Sequence, residues 1–262
     1  MNLSYEETSK DLSTRINVHK KFSQLEINDW IISIGNIKPG EKVLDIGCGD
    51  GKQVEMLARA VGENGEVYGA DINESLLEMA RDRIKKCGLK ASFTIQDLDQ
   101  KFEWEDARFD LVTCCFAIYY AVSAEKTLLE IKRVIKNGGR MFICGPTENN
   151  AAELNSIHEE ITGQKIPQTA VIRAARIKNE FLPLIRQNFN DVKVDIFKNK
   201  ISFPSAQSFM DYYSATLLFK EGVPDQRKNE VLSRMRIRIE EIVTLEGSFA
   251  VSKEVIGISA RK

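Results

Sequence analysis

Val43-Leu44-Asp45-Ile46-Gly47-Cys48-Gly49-Asp50-Gly51 is the stretch on which the fold turns. A short apolar run ends in three glycines spaced two apart, and an amphipathic stretch follows from Gln53 to Val61. That order reads as a buried strand, a tight turn and a helix. Glycine, lacking a Cβ, lets the backbone bend sharply and approach a ligand closely. The rhythm repeats outward from this point. Lys42–Ile46, Gly65–Ala70, Ala91–Ile95, Phe109–Cys115 and Arg140–Cys144 read as strands, the last after a Gly138-Gly139 turn. Gln53–Val61, Glu74–Lys86 and Ala124–Ile135 read as helices, with Leu76, Leu77, Ala80 and Ile84 on one face of the second. Five strands alternating with helices indicate an α/β fold with a parallel sheet and right-handed crossovers.

Residues 1–40 read as a helical leader. Leu25, Ile27, Trp30, Ile31 and Ile34 recur at helical spacing before Pro39-Gly40, as do Arg15, His19 and Phe22 further upstream. After Pro146 the pattern changes. Helices are expected over 151–162 and 171–189, the second interrupted by Pro183. A strand over 192–201 is expected to turn Val192, Val194 and Ile196 inward, and 249–260 reads as the last strand. Between these two strands, 205–219 and 226–244 look helical. The single domain is therefore read as 41–262, with a helical insertion at 204–247 placed as a lid over the carboxyl edge of the sheet.

Composition narrows the function classes. The chain has 262 residues, 43% apolar and 29% charged, which is ordinary for a globular protein. Lys plus Arg (37) balances Asp plus Glu (38), so no global positive field makes nucleic acid the default partner. Five cysteines without a C-x-x-C pair argue for a reducing compartment. Two histidines do not suggest a multi-histidine metal site, and no metal is expected. The N-terminus lacks a signal pattern, and the longest nearly apolar run, Leu111 to Val122, is too short to span a bilayer. A cytoplasmic protein is the expectation.

Two ligand classes compete for the glycine turn. A dinucleotide site needs G-x-G-x-x-G to seat a pyrophosphate on the helix N-terminus. Counted from Gly47, its third glycine falls on Lys52; the glycine is at 51. Asp45 precedes the turn, and a carboxylate there repels a pyrophosphate but suits a cation. The run resembles the (D/E)-x-G-x-G-x-G motif of the class I S-adenosylmethionine-dependent methyltransferases. Leu128-Leu129-Glu130-Ile131-Lys132-Arg133-Val134-Ile135-Lys136-Asn137-Gly138-Gly139 is similar to the family's E-x-x-R-V-L-K-P-G-G stretch, with Asn137 in place of proline. The resemblance covers about residues 40–146 and is nearest the small-molecule group that includes the ubiquinone/menaquinone enzymes. It implies a Rossmann-like seven-stranded sheet with an antiparallel last strand. It also implies S-adenosylmethionine as cofactor, held by Asp45, Gly47, Cys48 and Gly49. Asp71 with Ile72 is implied at the ribose, Asp97 with Leu98 at the adenine, and Cys115 beside the methionine part. Asn73 is available as the helix cap in place of Asp71, and Asp99 competes with Asp97.

The acceptor is less legible. The (N/D)-P-P-(Y/F) motif of enzymes methylating nucleic-acid bases is absent, since Thr113-Cys114-Cys115-Phe116 stands there. The L-x-H pattern of many small-molecule relatives is replaced by Ala117-Ile118-Tyr119-Tyr120. Tyr119, Tyr120 and His158 are the candidates for a catalytic role. Core packing competes for the two tyrosines, and a solvated helix face competes for His158. Cys114 and Cys115 read as packing thiols. Phe203, Phe209, Met210, Tyr212, Tyr213 and Phe219 fit either a core or a pocket. The basic stretch Arg227 to Arg238 is diluted by glutamates and reads as a solvated face. The function read here is methyl transfer to a small-molecule acceptor. The rivals are an RNA or protein methyltransferase, a non-catalytic cofactor-binding protein and a nicotinamide oxidoreductase.

Overall fold

The structure is a computed structural model and describes residues 9–262. In chain order it comprises α1 (Ser9–Phe22), α2 (Ile27–Gly35), β1 (Lys42–Ile46), α3 (Lys52–Val61), β2 (Glu66–Asp71), α4 (Glu74–Lys86), β3 (Ser92–Ile95), β4 (Phe109–Cys115), α5 (Ala124–Val134), β5 (Ile135–Pro146), α6 (Ala152–Thr162), α7 (Gln168–Arg176), α8 (Leu182–Asn188), β6 (Asn190–Phe203), α9 (Ala206–Ser214), α10 (Leu217–Gly222), α11 (Lys228–Glu246) and β7 (Phe249–Arg261). The seven strands form one sheet in the order β3-β2-β1-β4-β5-β7-β6, and β7 runs antiparallel to both its neighbours. This is the expected α/β arrangement with its reversed last strand. The order turns back between β1 and β4, which places a crevice outside the strand ends there.

The strands form because their apolar runs are covered on both faces. Leu44, Ile46, Val112 and Ile143 face one cluster with α5 and α8, and Val43, Leu111 and Phe142 face another with α2 and α3. The E-x-x-R stretch has a visible physical task. Glu130 accepts from Phe102 N at 2.8 Å, while Arg133 donates to the carbonyls of Trp104 and Phe102 at 2.8 and 3.0 Å. Two side chains one helical turn apart thereby hold the long loop between β3 and β4 against the sheet.

Several local expectations are corrected. Among the described residues the leader, read as helical without a break, holds two helices, α1 and α2. The Gly138-Gly139 turn is a bulge inside a longer β5: Phe109 pairs with Ile135 and Leu111 with Arg140, so residues 136–139 stand opposite Asp110 alone. The helix expected over 171–189 continues through Pro183. A π turn at Ile177–Phe181 precedes it and loosens the ladder where proline lacks a donor. In β6 the inward residues are Phe197, Ile201 and Phe203; Val194 and Ile196 are 41% and 43% exposed. The cause is edge position. Only Val192 reaches the core on the α8 face, whereas the leader covers the other face, with Trp30 tilted against Phe197 and bonded to Asp195.

The β6–β7 pair outruns the rest of the sheet. Pro146, the end of β5, pairs with Val255, but β7 begins at Phe249, which pairs with Phe203. The projecting ribbon carries a further apolar cluster, the second in size, with α1, α6, α9 and α11, including Val18, Leu154, Phe209, Tyr213 and Met235.

Candidate functional site

The site is built where β1, β2 and β4 end. Gly47 adopts a φ of 71°, and the amides of Gly47 and Cys48 both donate to Ala70 O, at 2.7 and 3.0 Å. A Cβ at Gly47 would lie 2.1 Å from the Cβ of Ala117, and one at Gly51 2.7 Å from that of Ala80. The first glycine thus lets the loop after β4 close on the loop after β1, and the third lets α3 start against α4. Asp50, inside the motif, is buried. It accepts from Arg83 at 2.6 Å while Arg83 Nε donates to the Asp50 carbonyl, which fastens the turn to α4.

Asp71 ends β2 and reaches back to the turn. One carboxylate oxygen accepts from Gly49 N and the other from Asn73 N, each at 2.9 Å. A carboxylate has about four lone-pair sites, so each oxygen retains capacity for a hydroxyl. Asn73 caps α4 through its own side chain, which leaves Asp71 free of that duty. Burial raises the Asp71 pKa against the lowering effect of these backbone donors.

Asp45 is 1% exposed. One oxygen accepts from Thr113 Oγ1 at 2.6 Å, while Oδ2 is buried without a hydrogen-bond partner among the described residues. Desolvation pushes its pKa up to about 7; the Thr113 bond opposes this and the charge of Asp71 adds to it. Two carboxylates in one low-dielectric place form an electrostatic deficit that a cation relieves. Sequence reasoning missed Thr113, although a lone hydroxyl in the apolar run Leu111-Val112-Thr113-Cys114-Cys115 was a visible signal.

The remaining predicted residues divide. Asp97 accepts from Asp99 N at 2.9 Å and is partly exposed at the end of β3. Its rival Asp99 is engaged structurally, accepting from the amides of Val122 and Ser123. Ile72 is 60% exposed and Leu98 packs on the core. Cys48 and Cys115 are buried; burial raises the first thiol's pKa, and contact with Cys144 followed by burial raises the second's. Phe116, next along, holds a φ of 59°, an uncommon backbone for a side chain of that size, and its amide donates to Cys144 O at 2.8 Å.

Tyr119 is buried in the core; a Cβ on Gly145 would touch its ring at 2.7 Å. Tyr120 is partly exposed, its ring 4.7 Å from that of Tyr119. Arg176, which sequence reasoning did not single out, pins this turn by donating to the carbonyls of Tyr119 and Ala121 at 2.8 and 2.5 Å and to Glu180. His158 is neither solvated nor near the glycine turn. It is 1% exposed beneath the insertion, with Nδ1 2.7 Å from Tyr213 OH, because α6 packs its inner face on the second apolar cluster. Phe203, Phe209, Met210, Tyr212, Tyr213 and Phe219 are all buried in that cluster. Arg227, Arg234 and Arg238 pair with Glu230, Glu160 and Glu241.

Two surface hollows lie elsewhere. One of about 400 Å³ opens beside Tyr68, Phe93 and Arg108; one of about 530 Å³ lies between α1 and α3, lined by Ile16, Lys52 and Met56. Neither contains Asp45 or Asp71, and the chemistry of those carboxylates marks the crevice instead. Among the described residues, no helix is long and apolar enough to cross a membrane.

Comparison with known proteins agrees with this geometry. A ubiquinone/menaquinone biosynthesis C-methyltransferase of Burkholderia mallei is 38% identical over 114 residues, covering 44% of this chain and 46% of that protein. The chain thus matches about half the length of this curated relative. Among solved structures, the YcgJ protein of Bacillus subtilis superposes with a TM-score of 0.61 at 17% identity, covering 90% of this chain and 97% of that one. Phosphoethanolamine N-methyltransferase 2 of Haemonchus contortus, solved with S-adenosyl-L-methionine, gives 0.59 at 16% identity over 97% of this chain and 57% of that one. These two likenesses speak to the fold. The profile described as a methyltransferase domain matches residues 37–198, which span the glycine turn, both carboxylates and most of the sheet. This chain belongs to that methyltransferase-domain family.

Proposed function

We propose that the protein is an S-adenosylmethionine-dependent methyltransferase acting on a small-molecule acceptor. The observation that carries this reading is Asp45: a buried carboxylate with an orphaned oxygen, placed before a glycine turn and sensing Asp71. Such a site repels a diphosphate and draws a cation. Asp45 and the turn Gly47-Cys48-Gly49 would hold the amino-acid part of the cofactor, with Cys115 forming the floor at the end of β4. Asp71, flanked by Ile72, would accept the ribose hydroxyls, and Asp97 with Leu98 would meet the adenine. When bound, the cofactor supplies a methyl group already activated on a sulfonium.

The chain's own residues then align and exclude water. Asp71 is preset by its two backbone donors, so little reorganisation accompanies binding. Arg176 fixes the carbonyls of the Tyr119 turn and thereby one wall of the space beyond β4. The insertion at 204–247, joined to the leader through α1 and α9, would close that space as a lid over the unit 41–262. Tyr119 and His158 are engaged in packing, so neither is assigned as base. A small acceptor is favoured over RNA because the basic stretch on α11 is neutralised by its glutamates. A reducing, cytoplasmic setting fits five unpaired thiols.

Calorimetry with S-adenosylhomocysteine and with NAD tests the reading. Binding of the first and none of the second is expected. The reverse would assign the crevice to a nicotinamide cofactor and end the proposal.

A further inference from the structure

We propose that Lys253, Tyr212 and His19 form a recognition site for an anionic group of the acceptor, so that the substrate is a small acidic molecule. This deepens the methyltransferase reading and rests on it.

The first observation is a break in a pattern. Along β7, Phe249, Val251, Lys253 and Val255 share one face by the two-residue period of a strand. Three of them are buried apolar residues and the fourth is a lysine that is itself half-buried. A lysine on a covered face loses hydration and needs a compensating partner. Among the described residues, no carboxylate lies within ion-pair reach of it. Its contacts are a hydrogen bond to Tyr212 OH at 3.1 Å and a place 5.7 Å from the centre of that ring. Register locates it: Val255 pairs with Pro146, the last residue of β5, so Lys253 stands just past the carboxyl edge of the sheet.

The second observation is what gathers there. His19 of α1 meets the same Tyr212 edge-on, with ring centres 6.2 Å apart, and its Nδ1 lies 3.4 Å from Ser23 Oγ. Three segments far apart in sequence, the leader, the insertion and β7, thus meet at one phenol. An ion pair between Asp11 and Lys220 fastens the leader to the insertion beside it. Burial, and after it the positive charges of Lys253, Arg15 and Lys52, hold the His19 pKa down to about 3. Lys52, itself 3.5 Å from Glu26, is the first residue of α3 and follows the glycine turn directly. Lys52 thus links this cluster to the glycine turn. A neutral imidazole, a phenol and a flexible ammonium donor match a carboxylate or phosphate on a molecule small enough to lie under the lid.

Binding measurements on the protein saturated with S-adenosylhomocysteine test this. The probes are 4-hydroxybenzoate and its uncharged counterpart 4-hydroxybenzamide, with phenyl phosphate as a second anion. At least one anion is expected to bind about tenfold tighter than the amide, a difference of about 1.4 kcal/mol. Lys253→Met is expected to erase that preference while leaving the affinity for S-adenosylhomocysteine within about twofold. Tyr212→Phe keeps the ring and its packing and is expected to weaken the anion only in part. Equal binding of charged and uncharged probes, or no binding of any of them at millimolar concentration, overturns the proposal. So does a variant that loses S-adenosylhomocysteine affinity, since the cations would then serve the cofactor's own carboxylate. If the wild-type protein fails to bind S-adenosylhomocysteine, the methyltransferase reading falls. The anion preference is then measured on the free protein and decided separately.

Discussion

The crevice at the ends of β1, β2 and β4 and the cap over β6–β7 are built on opposite plans. The crevice comes from residues 45–71, a stretch short enough that its parts are set by local chain geometry. It is polar, it contains positive-φ backbone, and it confines two carboxylates at the cost of desolvating them. The cap draws on residues 9–22, 152–162, 206–246 and 249–255, and its interior is aromatic. Its charged groups lie at the margin, Lys253 beside Tyr212 among them. Recognition of an invariant ligand part suits the first plan, and recognition of a variable partner suits the second.

The comparison breaks most readily at Gly47. Gly47→Val adds a side chain where a Cβ alone would sit 2.1 Å from Ala117, on a backbone disfavouring any Cβ. Loss of detectable S-adenosylhomocysteine binding by calorimetry is expected, with a fall in melting temperature of several degrees. Retained binding would show that the turn is not the cofactor seat.

Asp45→Asn sharpens it further. A folded pKa near 7, above the usual carboxylate value, means that the buried acid favours folding at low pH and that this contribution is lost as pH rises through 7. The ligand-free variant should therefore melt higher than the parent at pH 8, with the gap closing toward pH 5. Cofactor affinity should fall at least thirtyfold, about 2 kcal/mol, since an amide offers no charge to a cation. In the parent protein, affinity for S-adenosylhomocysteine should weaken below pH 7, by up to about tenfold per unit, because binding must then displace a proton from Asp45.

Arg176→Met probes the joint between the two regions. It orphans the carbonyls of Tyr119 and Ala121, and a loss of about 2–3 kcal/mol in urea unfolding is expected. On the cap side, Tyr213→Phe removes the 2.7 Å bond to His158 and should cost about 1 kcal/mol of stability with no change in cofactor affinity. Arg238→Ala, on the exposed face of α11, should leave the urea midpoint unchanged within measurement error.

What could be read in advance follows the same division. The strand run of Val43 to Ile46, the turn glycines and the acid at 71 act through residues a few positions apart, so pattern and chemistry coincide in the sequence. Asp45 was visible; its partner Thr113 lies 68 residues away and gains meaning only when β4 lies beside β1. His158 looked like a surface helix residue because nothing local announces that α9 will cover it. The face of β6 was misassigned for a related reason. An alternating Val-x-Val-x-Ile marks a face without saying whether anything will pack on it, and at a sheet edge α8 covers only the first of the three. Lys253, sitting in the register of buried residues, is the kind of local contradiction that signals function, yet its significance needed Tyr212 and His19 beside it.

The pairing of Phe203 with Phe249 bears on how such a protein changes over generations. The point where the chain leaves the sheet and the point where it returns are the two halves of one rung, so the helical excursion between them is anchored at a single doorway. Lengthening or shortening an excursion held in this way costs free energy that grows only with the logarithm of its length. The roof is therefore open to replacement by drift and selection while the floor that grips the shared ligand stays as it is.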